Sequence, residues 1–393
     1  MSNKPMLFSP FRMRELELPN RIAFGPMCQY DAIDGVASDW HLMHLGNMAM
    51  SGVGLVIAEA CAVEPQGRIS NLCLGLYSDK CESELKRVVD FCKNYGNAKF
   101  GVQLAHAGRK GAVTASFMVR RPLTKEEGWW QPEGPSFIDD GIHSSPAVLD
   151  QERIERIKRA WVDSTRRADR IGVDLIELHF AHGYLINQFL SPLTNFRDDE
   201  YGGTREKRMR LALEIYDLCR AVWPAHKPMG VRISAVDWVE GGWDIEDSVA
   251  FAKELHARGC DYICTSSGGV TMKQKIVSGP GYQVPFAHRV REGSGIATMA
   301  IGQITEPKQA EEILASGKAD MIGMVRRLTY NPRWPWHAAV ELGVHVDYPK
   351  RYRSCHPAVG PALKFAESKE QTEALQKLWG LNQQAAEKSG AGS

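Results

Sequence analysis

The sequence lacks several features that would assign a protein to a class at once. No run of apolar residues approaches the length of about 18 that a membrane span needs. Neither sign of charge dominates, because 48 Lys and Arg residues stand against 47 Asp and Glu residues and leave a net charge of +1. A balanced charge provides no electrostatic footprint for nucleic acid or for an anionic membrane. These absences favour a small molecule as the ligand.

The nine cysteines also lack the CxxC spacing that is typical of zinc ribbons and iron–sulfur sites. The first residues, MSNKPMLFSPFRM, contain no apolar signal core, so we expect a cytoplasmic protein with reduced thiols. Most of the cysteines are then expected to fill the core. A GxGxxG motif is absent as well, which argues against a dinucleotide-binding doubly wound sheet.

What the chain does contain is a regular alternation of strand-like and helix-like segments. The predicted strands are residues 21–27, 55–63, 99–106, a strand beginning at residue 175, and residues 228–234, 262–267, 296–302 and 321–325. Ser38 or Asp39, Asp244 and Thr305 are predicted helix N-caps. Roughly eight such repeats are what a (β/α)₈ TIM barrel requires. We therefore predict an α/β fold with one barrel domain at residues 1–345, an inserted loop after the third strand and a C-terminal tail at residues 346–393.

Two segments lie outside the repeat. The insertion at residues 108–146 carries Arg120, Arg121, Trp129 and Trp130, and it is too long for a plain strand-to-helix connection. We expect either a lid or interface element, or a packed surface loop. The tail holds the basic cluster KRYR and ends in AAEKSGAGS, which we expect to be disordered.

The stretch LIELHFAHGY places His179, His182 and Tyr184 just beyond the carboxyl end of the fourth predicted strand. Ligands of βα proteins bind at this end of the strands. One interpretation is a metal site, completed by a residue such as His106 or Glu59. A second is a pair of histidines that only stabilise the turn. A third is a pair of donors that hold an anionic or carbonyl oxygen, with Tyr184 as proton donor.

Longer segments follow the predicted strands in order: PNRIAFGPMCQY, GVQLAHAGRK, HFAHGYLINQFLSPLTNFRDDEYGG, VRIS, SSGG with PGYQVPFA, and ADMIGMVRR. Together they resemble the Old Yellow Enzyme family of FMN-dependent ene-reductases, and more closely its bacterial, thermophilic-like branch. The resemblance extends to about residue 355. Any one short segment would carry little weight, whereas the ordered set is a strong signal.

The resemblance implies a noncovalent FMN that is reduced by NADPH or NADH. Gln103 and Arg232 match the residues that hold the pyrimidine edge, where fixed positive charge stabilises the reduced flavin. In this branch a cysteine matching Cys28 lies beside the flavin and tunes its potential. Val325 and Met299 stand where relatives commonly have glycine, so the residues expected around the FMN phosphate depart from the family pattern. The cofactor-binding residues implied in full are Pro26, Met27, Cys28, Ala60, Gln103, Arg232, Gly302, Val325 and Arg326.

The resemblance also implies a substrate site for activated alkenes such as enones, enals and nitroalkenes. His179 and His182 match the pair that binds the carbonyl or nitro oxygen, so that hydride from FMN N5 attacks the β-carbon. Tyr184 matches the residue that protonates the α-carbon, and Tyr30 matches a second aromatic hydroxyl. The resemblance also implies a homodimer or homotetramer, in which an arginine of a neighbouring tail can enter the site. The cluster KRYR offers Arg351 and Arg353 for this role, and we select Arg353.

Other functions are compatible with parts of this pattern. One is a catabolic flavoenzyme related to dienoyl-CoA reductase or amine dehydrogenase, although the clustered cysteines and the extra length of those proteins are missing. A metal-dependent barrel hydrolase would use HFAH as ligands. A flavin-binding barrel without turnover is the non-enzymatic alternative.

Overall fold

The computed structural model of the protein describes residues 4–355 and residues 370, 373, 374 and 377. Within these residues, eight parallel strands close into a barrel in which each strand pairs with the next along the chain. They are β1 Ile22–Phe24, β2 Leu55–Ala62, β3 Lys99–Ala105, β4 Leu175–Phe180, β5 Met229–Ser234, β6 Tyr262–Ser266, β7 Ala297–Ala300 and β8 Met321–Met324. The predicted (β/α)₈ barrel is confirmed.

Helices connect the strands around the outside of the barrel. They are α1 Asp39–Ala49, α2 Asp79–Tyr95, α3 Gln151–Arg170, α4 Leu185–Leu190, α5 Arg205–Val222, α6 Ile245–Ala257, α7 Val284–Ser294, α8 Pro307–Ala315, α9 Arg326–Tyr330 and α10 Trp334–Glu341. Side chains of Ser38 and Asp244 accept backbone N–H groups at the starts of α1 and α6, as predicted. The predicted cap Thr305 is wrong, because Pro307 occupies the first turn and makes the extended Glu306 the cap.

The barrel interior is packed with apolar side chains on the side away from the predicted site. An antiparallel pair of strands, Phe11–Met13 and Leu16–Leu18, adds Met13 and Leu18 to this interior cluster. Met299 belongs to the same cluster and pairs with Met321 inside the sheet. The sequence analysis counted Met299 with the phosphate side, but this residue lies within β7 and packs into the barrel interior.

The insertion is ordered by its own contacts. Two short parallel strands, Glu133–Gly134 and Ala147–Val148, pair at its end. The indole N–H of Trp130 donates to the carbonyl of Gln66 at 3.0 Å, and Arg121 forms an ion pair with Glu127. The loop is therefore packed, while its role as a lid or an interface stays a prediction.

Past the barrel, residues Lys350–Cys355 form a 3₁₀ turn. The predicted disorder of AAEKSGAGS falls outside the described residues, and the division at residue 345 stays a prediction. In the part of the chain that the structure describes, no helix has the length and apolar character needed to cross a bilayer.

Candidate active site

The turn after β4 is held in place by a close backbone approach. Gly183 has a φ of +69°, and a Cβ at this position would lie 2.1 Å from the carbonyl oxygen of Gly269 in the loop after β6. His182, directly before it, also has a positive φ of 61°, and its backbone N–H donates to Ser234 Oγ at 2.9 Å. The turn therefore packs against β5 and the β6 loop, which fixes the direction of its side chains.

His179 and His182 lie side by side, with ring centroids 5.1 Å apart. The sequence analysis placed both beyond the strand, but only His182 lies in the turn, because β4 continues to Phe180 and includes His179. His179 Nδ1 accepts the backbone N–H of Ala181 at 3.3 Å, which leaves the proton on Nε2. His182 Nε2 is 2.7 Å from Ser266 Oγ, so a ligand that uses this nitrogen must replace that contact. Burial, followed by the nearby charge of Arg232, lowers the pKa of both histidines well below the usual value. Both rings are neutral near pH 7 and can act as uncharged N–H donors.

Two tyrosines face the same space. The ring of Tyr184 lies 5.1 Å from that of His179, and Tyr30, which has a positive φ of 56°, makes an edge contact with Phe117 of the insertion. Burial raises the pKa of both phenols. Each therefore carries its proton at neutral pH and can donate it to a bound molecule.

A carboxylate that the sequence analysis did not select lies near these histidines and tyrosines. Glu177 is fully buried in β4, where its side chain accepts from Gln103 Nε2 at 2.7 Å and from the Tyr262 hydroxyl at 3.1 Å. Burial raises the pKa of Glu177, and the charge of Arg232 opposes this shift. A charged residue within the apolar run LIELHF was the available signal. Its contact with Gln103 fixes the orientation of that amide.

Arg232 lies between the residues predicted to bind the substrate and those predicted to bind the flavin. Parallel pairing places it directly beside His179, on the neighbouring strand β5. Its buried Nε has no hydrogen-bond partner among the described residues. A buried donor without a partner is rare in proteins and indicates a bound acceptor. The carbonyl-rich pyrimidine edge of FMN fits this requirement.

The segment after β1 forms a further wall of the candidate active site. Gly25 N–H donates to the last carbonyl of β8 at 3.1 Å, and Gln29 N–H donates to Glu59 Oε1 at 3.1 Å. Between them Pro26, Met27 and Cys28 are half-buried. The neighbouring Cys73 and burial raise the pKa of Cys28, and the backbone of Ala60 opposes this shift, so Cys28 and Ala60 are neighbours among the predicted flavin-lining residues.

Comparison with known proteins decides the family. The model described as the NADH:flavin oxidoreductase / NADH oxidase family matches residues 6–343. The chain belongs to this family. An NADPH dehydrogenase of Geobacillus sp. (strain WCH70) is 44% identical over 349 residues, which are 88% of this chain and 97% of that protein. An NADPH dehydrogenase of Listeria monocytogenes serotype 4a (strain HCC23) is 42% identical over 349 residues, which are 88% of this chain and 98% of that protein.

The solved structures agree with the sequence comparison. Morphinone reductase in complex with tetrahydroNAD superimposes with a TM-score of 0.72 at 25% identity, covering 88% of this chain and 93% of that one. The predicted membership of the Old Yellow Enzyme group, with FMN as cofactor and NAD(P)H as reductant, is thus confirmed.

In this NADH:flavin oxidoreductase, the residues predicted to bind the FMN phosphate lie at the ends of β7 and β8. Gly302 follows β7 with a φ of +104°, and Val325 follows β8. A Cβ on Gly25 would lie 3.2 Å from Val325, so these ends are close to the wall after β1. Arg326 is exposed, whereas the buried Nε of Arg327 lacks a hydrogen-bond partner among the described residues. Arg327 is thus a second candidate for the phosphate, and contact with Gly302, Val325 or Arg326 stays a prediction.

Lys110 is another residue that the sequence analysis did not select, although it lies in the quoted segment GVQLAHAGRK. Its Nζ donates to the carbonyls of His182 at 2.7 Å and Gly269 at 2.9 Å. It also lies 5.0 Å from the ring centre of Tyr184. Burial, with the charges of Arg120 and Arg109, lowers the pKa of Lys110 to about 7. Lys110 therefore joins the histidine turn to the β6 loop with a charge that changes near neutral pH.

The lowered pKa of Lys110 predicts a pH dependence. The ammonium is charged below about pH 7 and neutral above it, so the charge beside Tyr184 is lost as the pH rises. We expect the rate of substrate reduction by the reduced enzyme to fall through this range, measured by rapid mixing at a series of pH values. Lys110→Arg keeps a positive charge and should lose the inflection. The same inflection in that variant would assign it to another group.

Arg353 lies outside the site within a single chain. The turn that carries it packs on the outside of the barrel, where Tyr352 contacts Trp336. The indole of Trp336 in turn lies against Gly52, in the loop before β2. The Arg353 side chain is exposed. Its entry into the site of a neighbouring subunit stays a prediction.

The residues considered as further metal ligands for HFAH have other partners. His106 Nε2 lies 2.9 Å from Glu64, and Glu59 lies 3.2 Å from His41. Among the described residues, no group of three or more His, Cys, Asp or Glu side chains is arranged to hold a metal ion.

Proposed function

We propose that this flavin oxidoreductase is an NAD(P)H-dependent ene-reductase that acts on enones, enals and nitroalkenes. The observation that carries the proposal is the convergence of two neutral imidazoles and a protonated phenol. The ring of His179 lies 5.1 Å from those of both His182 and Tyr184, and Arg232 is its neighbour in the sheet. Such a set suits a substrate whose oxygen gains negative charge while a nearby carbon gains a proton.

The protein residues have separate tasks in this reaction. His179 and His182 donate to the carbonyl or nitro oxygen, which withdraws electron density from the β-carbon. FMN, when bound and reduced, supplies the hydride. Because the pKa of Tyr184 is raised, its phenol starts in the protonated form and must act through position rather than acidity. Tyr30 lines the same space and limits the shape of the alkene.

The proposal is tested by turnover under nitrogen. Holoenzyme with NADPH and 2-cyclohexenone should form cyclohexanone in an amount equal to the NADPH consumed, measured by chromatography and absorbance. Cyclohexene, which has no activating group, is the matched control and should not react. NADPH consumption only when oxygen is admitted, without cyclohexanone, would reject ene-reduction and favour a flavin-binding barrel without alkene turnover.

We also propose that the enzyme works in the cytoplasm as a homodimer or homotetramer. Its reductant NAD(P)H is an intracellular metabolite, and its thiols suit a reducing compartment. Oligomerisation would allow the exposed Arg353 to complete a neighbouring site. Light scattering of the purified holoenzyme measures the number of subunits.

A further inference from the structure

The two histidines of the site meet their neighbours through different ring nitrogens. In His179 the bound nitrogen is Nδ1, which accepts the backbone N–H of Ala181 at 3.3 Å. In His182 it is Nε2, which lies 2.7 Å from Ser266 Oγ at the end of β6. A hydroxyl can donate to a ring nitrogen or accept a proton from it. The surroundings of Ser266 therefore decide which nitrogen of His182 carries the ring proton.

The amide of Gln283 sets the direction of the Ser266 hydroxyl. Gln283 is buried directly before α7, and its Nε2 donates to Ser267 Oγ at 2.7 Å and to Ser266 Oγ at a longer 3.4 Å. Because the Ser266 oxygen accepts this N–H, its own proton is left to point at His182. The hydroxyl is then the donor and His182 Nε2 the acceptor.

The backbone of His182 holds the ring in this contact. Its N–H donates to Ser234 Oγ at 2.9 Å, and the Ser234 hydroxyl in turn donates to the carbonyl of Gly268 at 2.7 Å. Its carbonyl accepts from Lys110 Nζ at 2.7 Å. Both backbone polar groups of His182 are thus bound, to groups on β5 and in the loop after β3. The position of the ring against Ser266 is fixed from two sides.

An imidazole directs its two nitrogens to roughly opposite sides of the ring. With Nε2 against Ser266, the nitrogen of His182 that remains for a ligand is Nδ1. In His179 the order is reversed, and Nε2 remains. The two rings stand at 88° to each other. Burial lowers the pKa of both histidines, so each ring carries one proton near neutral pH.

We propose that Ser266, directed by Gln283, is a positioning residue that keeps the ring proton of His182 on Nδ1. A ligand oxygen is then bound by His182 Nδ1–H and His179 Nε2–H together. A carbonyl oxygen has two lone pairs and can accept both bonds. The proposal rests on the proposed function only in taking that oxygen to be the one of an activated alkene.

The position of this proton matters because the other tautomer reverses the interaction. A His182 ring with its proton on Nε2 would present the lone pair of Nδ1 to the ligand oxygen, which repels it. The oxygen would keep one donor instead of two, while its negative charge grows during hydride transfer. Loss of the Ser266 hydroxyl removes the donor that selects against this tautomer.

The first experiment locates the ring protons by ¹⁵N NMR of FMN-loaded enzyme with ring-labelled histidine. The signals are assigned by their absence in His179→Asn and His182→Asn. We expect the proton of His182 on Nδ1 and that of His179 on Nε2. The spectrum reads the rings alone, so its result is independent of whether the enzyme reduces alkenes. A His182 proton on Nε2 would overturn the proposal.

The second experiment removes the Ser266 hydroxyl. In Ser266→Ala the His182 proton should move partly to Nε2, and the dissociation constant for a phenol should rise about threefold to tenfold. Ser266→Thr keeps a hydroxyl and should restore both. Ser164→Ala is the matched control, because this buried hydroxyl donates to the carbonyls of Val63 and Leu76, outside the site. An unchanged His182 tautomer in Ser266→Ala would reject the positioning role.

Two replacements of His182 identify the nitrogen that meets the ligand. The amide of Asn reaches the place of the ring's Nδ1, whereas the longer Gln reaches the place of Nε2. His182→Asn should therefore bind the phenol about tenfold more tightly than His182→Gln. Titration of the charge-transfer band of the oxidised enzyme measures both. Equal affinities, or tighter binding by His182→Gln, would contradict the use of Nδ1.

Discussion

Replacing both His179 and His182 with alanine is expected to lower alkene reduction by about 100- to 1000-fold, the cost of removing donors to a developing oxyanion. The protein should remain yellow, because Gln103 and Arg232, the residues proposed to hold the flavin, lie on β3 and β5 and are unchanged. We expect the oxygen of a phenolic ligand to occupy the place of the substrate oxygen, so such ligands should lose most of their affinity. Rapid mixing of the reduced variant with 2-cyclohexenone measures the rate.

The ligand measurement separates this effect from loss of the flavin. Titration of the oxidised enzyme with a phenol should give a long-wavelength charge-transfer band that is strongly weakened in the double variant. His288→Ala is a matched control, because this histidine pairs with Glu292 along α7, outside the site. An unchanged band in the double variant would remove His179 and His182 from the substrate site.

The second large effect is expected for Tyr184→Phe. Loss of a positioned proton donor should slow alkene reduction by about 100-fold or more. Reduction of the flavin by NADPH needs no proton from this phenol, so that half-reaction should change much less. Both rates are obtained by anaerobic rapid mixing, with Tyr30→Phe as the control for removal of a neighbouring hydroxyl. A larger effect on flavin reduction than on alkene reduction would reject the role of Tyr184.

The barrel was predictable because its signal is local. The spacing of apolar residues within each segment indicates whether it forms a buried strand or an amphipathic helix, and turn residues mark the strand ends. The grouping of His179 and Tyr184 followed from the same rule, since carboxyl ends of barrel strands meet at one mouth. Gln103 and Arg232 were named from the family resemblance instead. Errors occurred where local signals compete, as at Thr305, which Pro307 prevents from capping α8.

The residues that sequence reasoning missed depend on contacts between distant segments. Glu177 occupies a place in an apolar strand, and only the neighbouring strands show that Gln103 and Tyr262 hold its carboxylate. Lys110 gains its role from two carbonyls, of which one lies in the β6 loop.

The most direct test of the central claim is reoxidation of the reduced enzyme by an activated alkene. The enzyme is reduced under nitrogen with one equivalent of NADPH and mixed rapidly with 2-cyclohexenone, and the flavin absorbance is followed. We predict that the oxidised spectrum returns at a rate that depends on the enone concentration, and that cyclohexanone forms in equal amount. A flavin that stays reduced until oxygen is admitted would contradict the account.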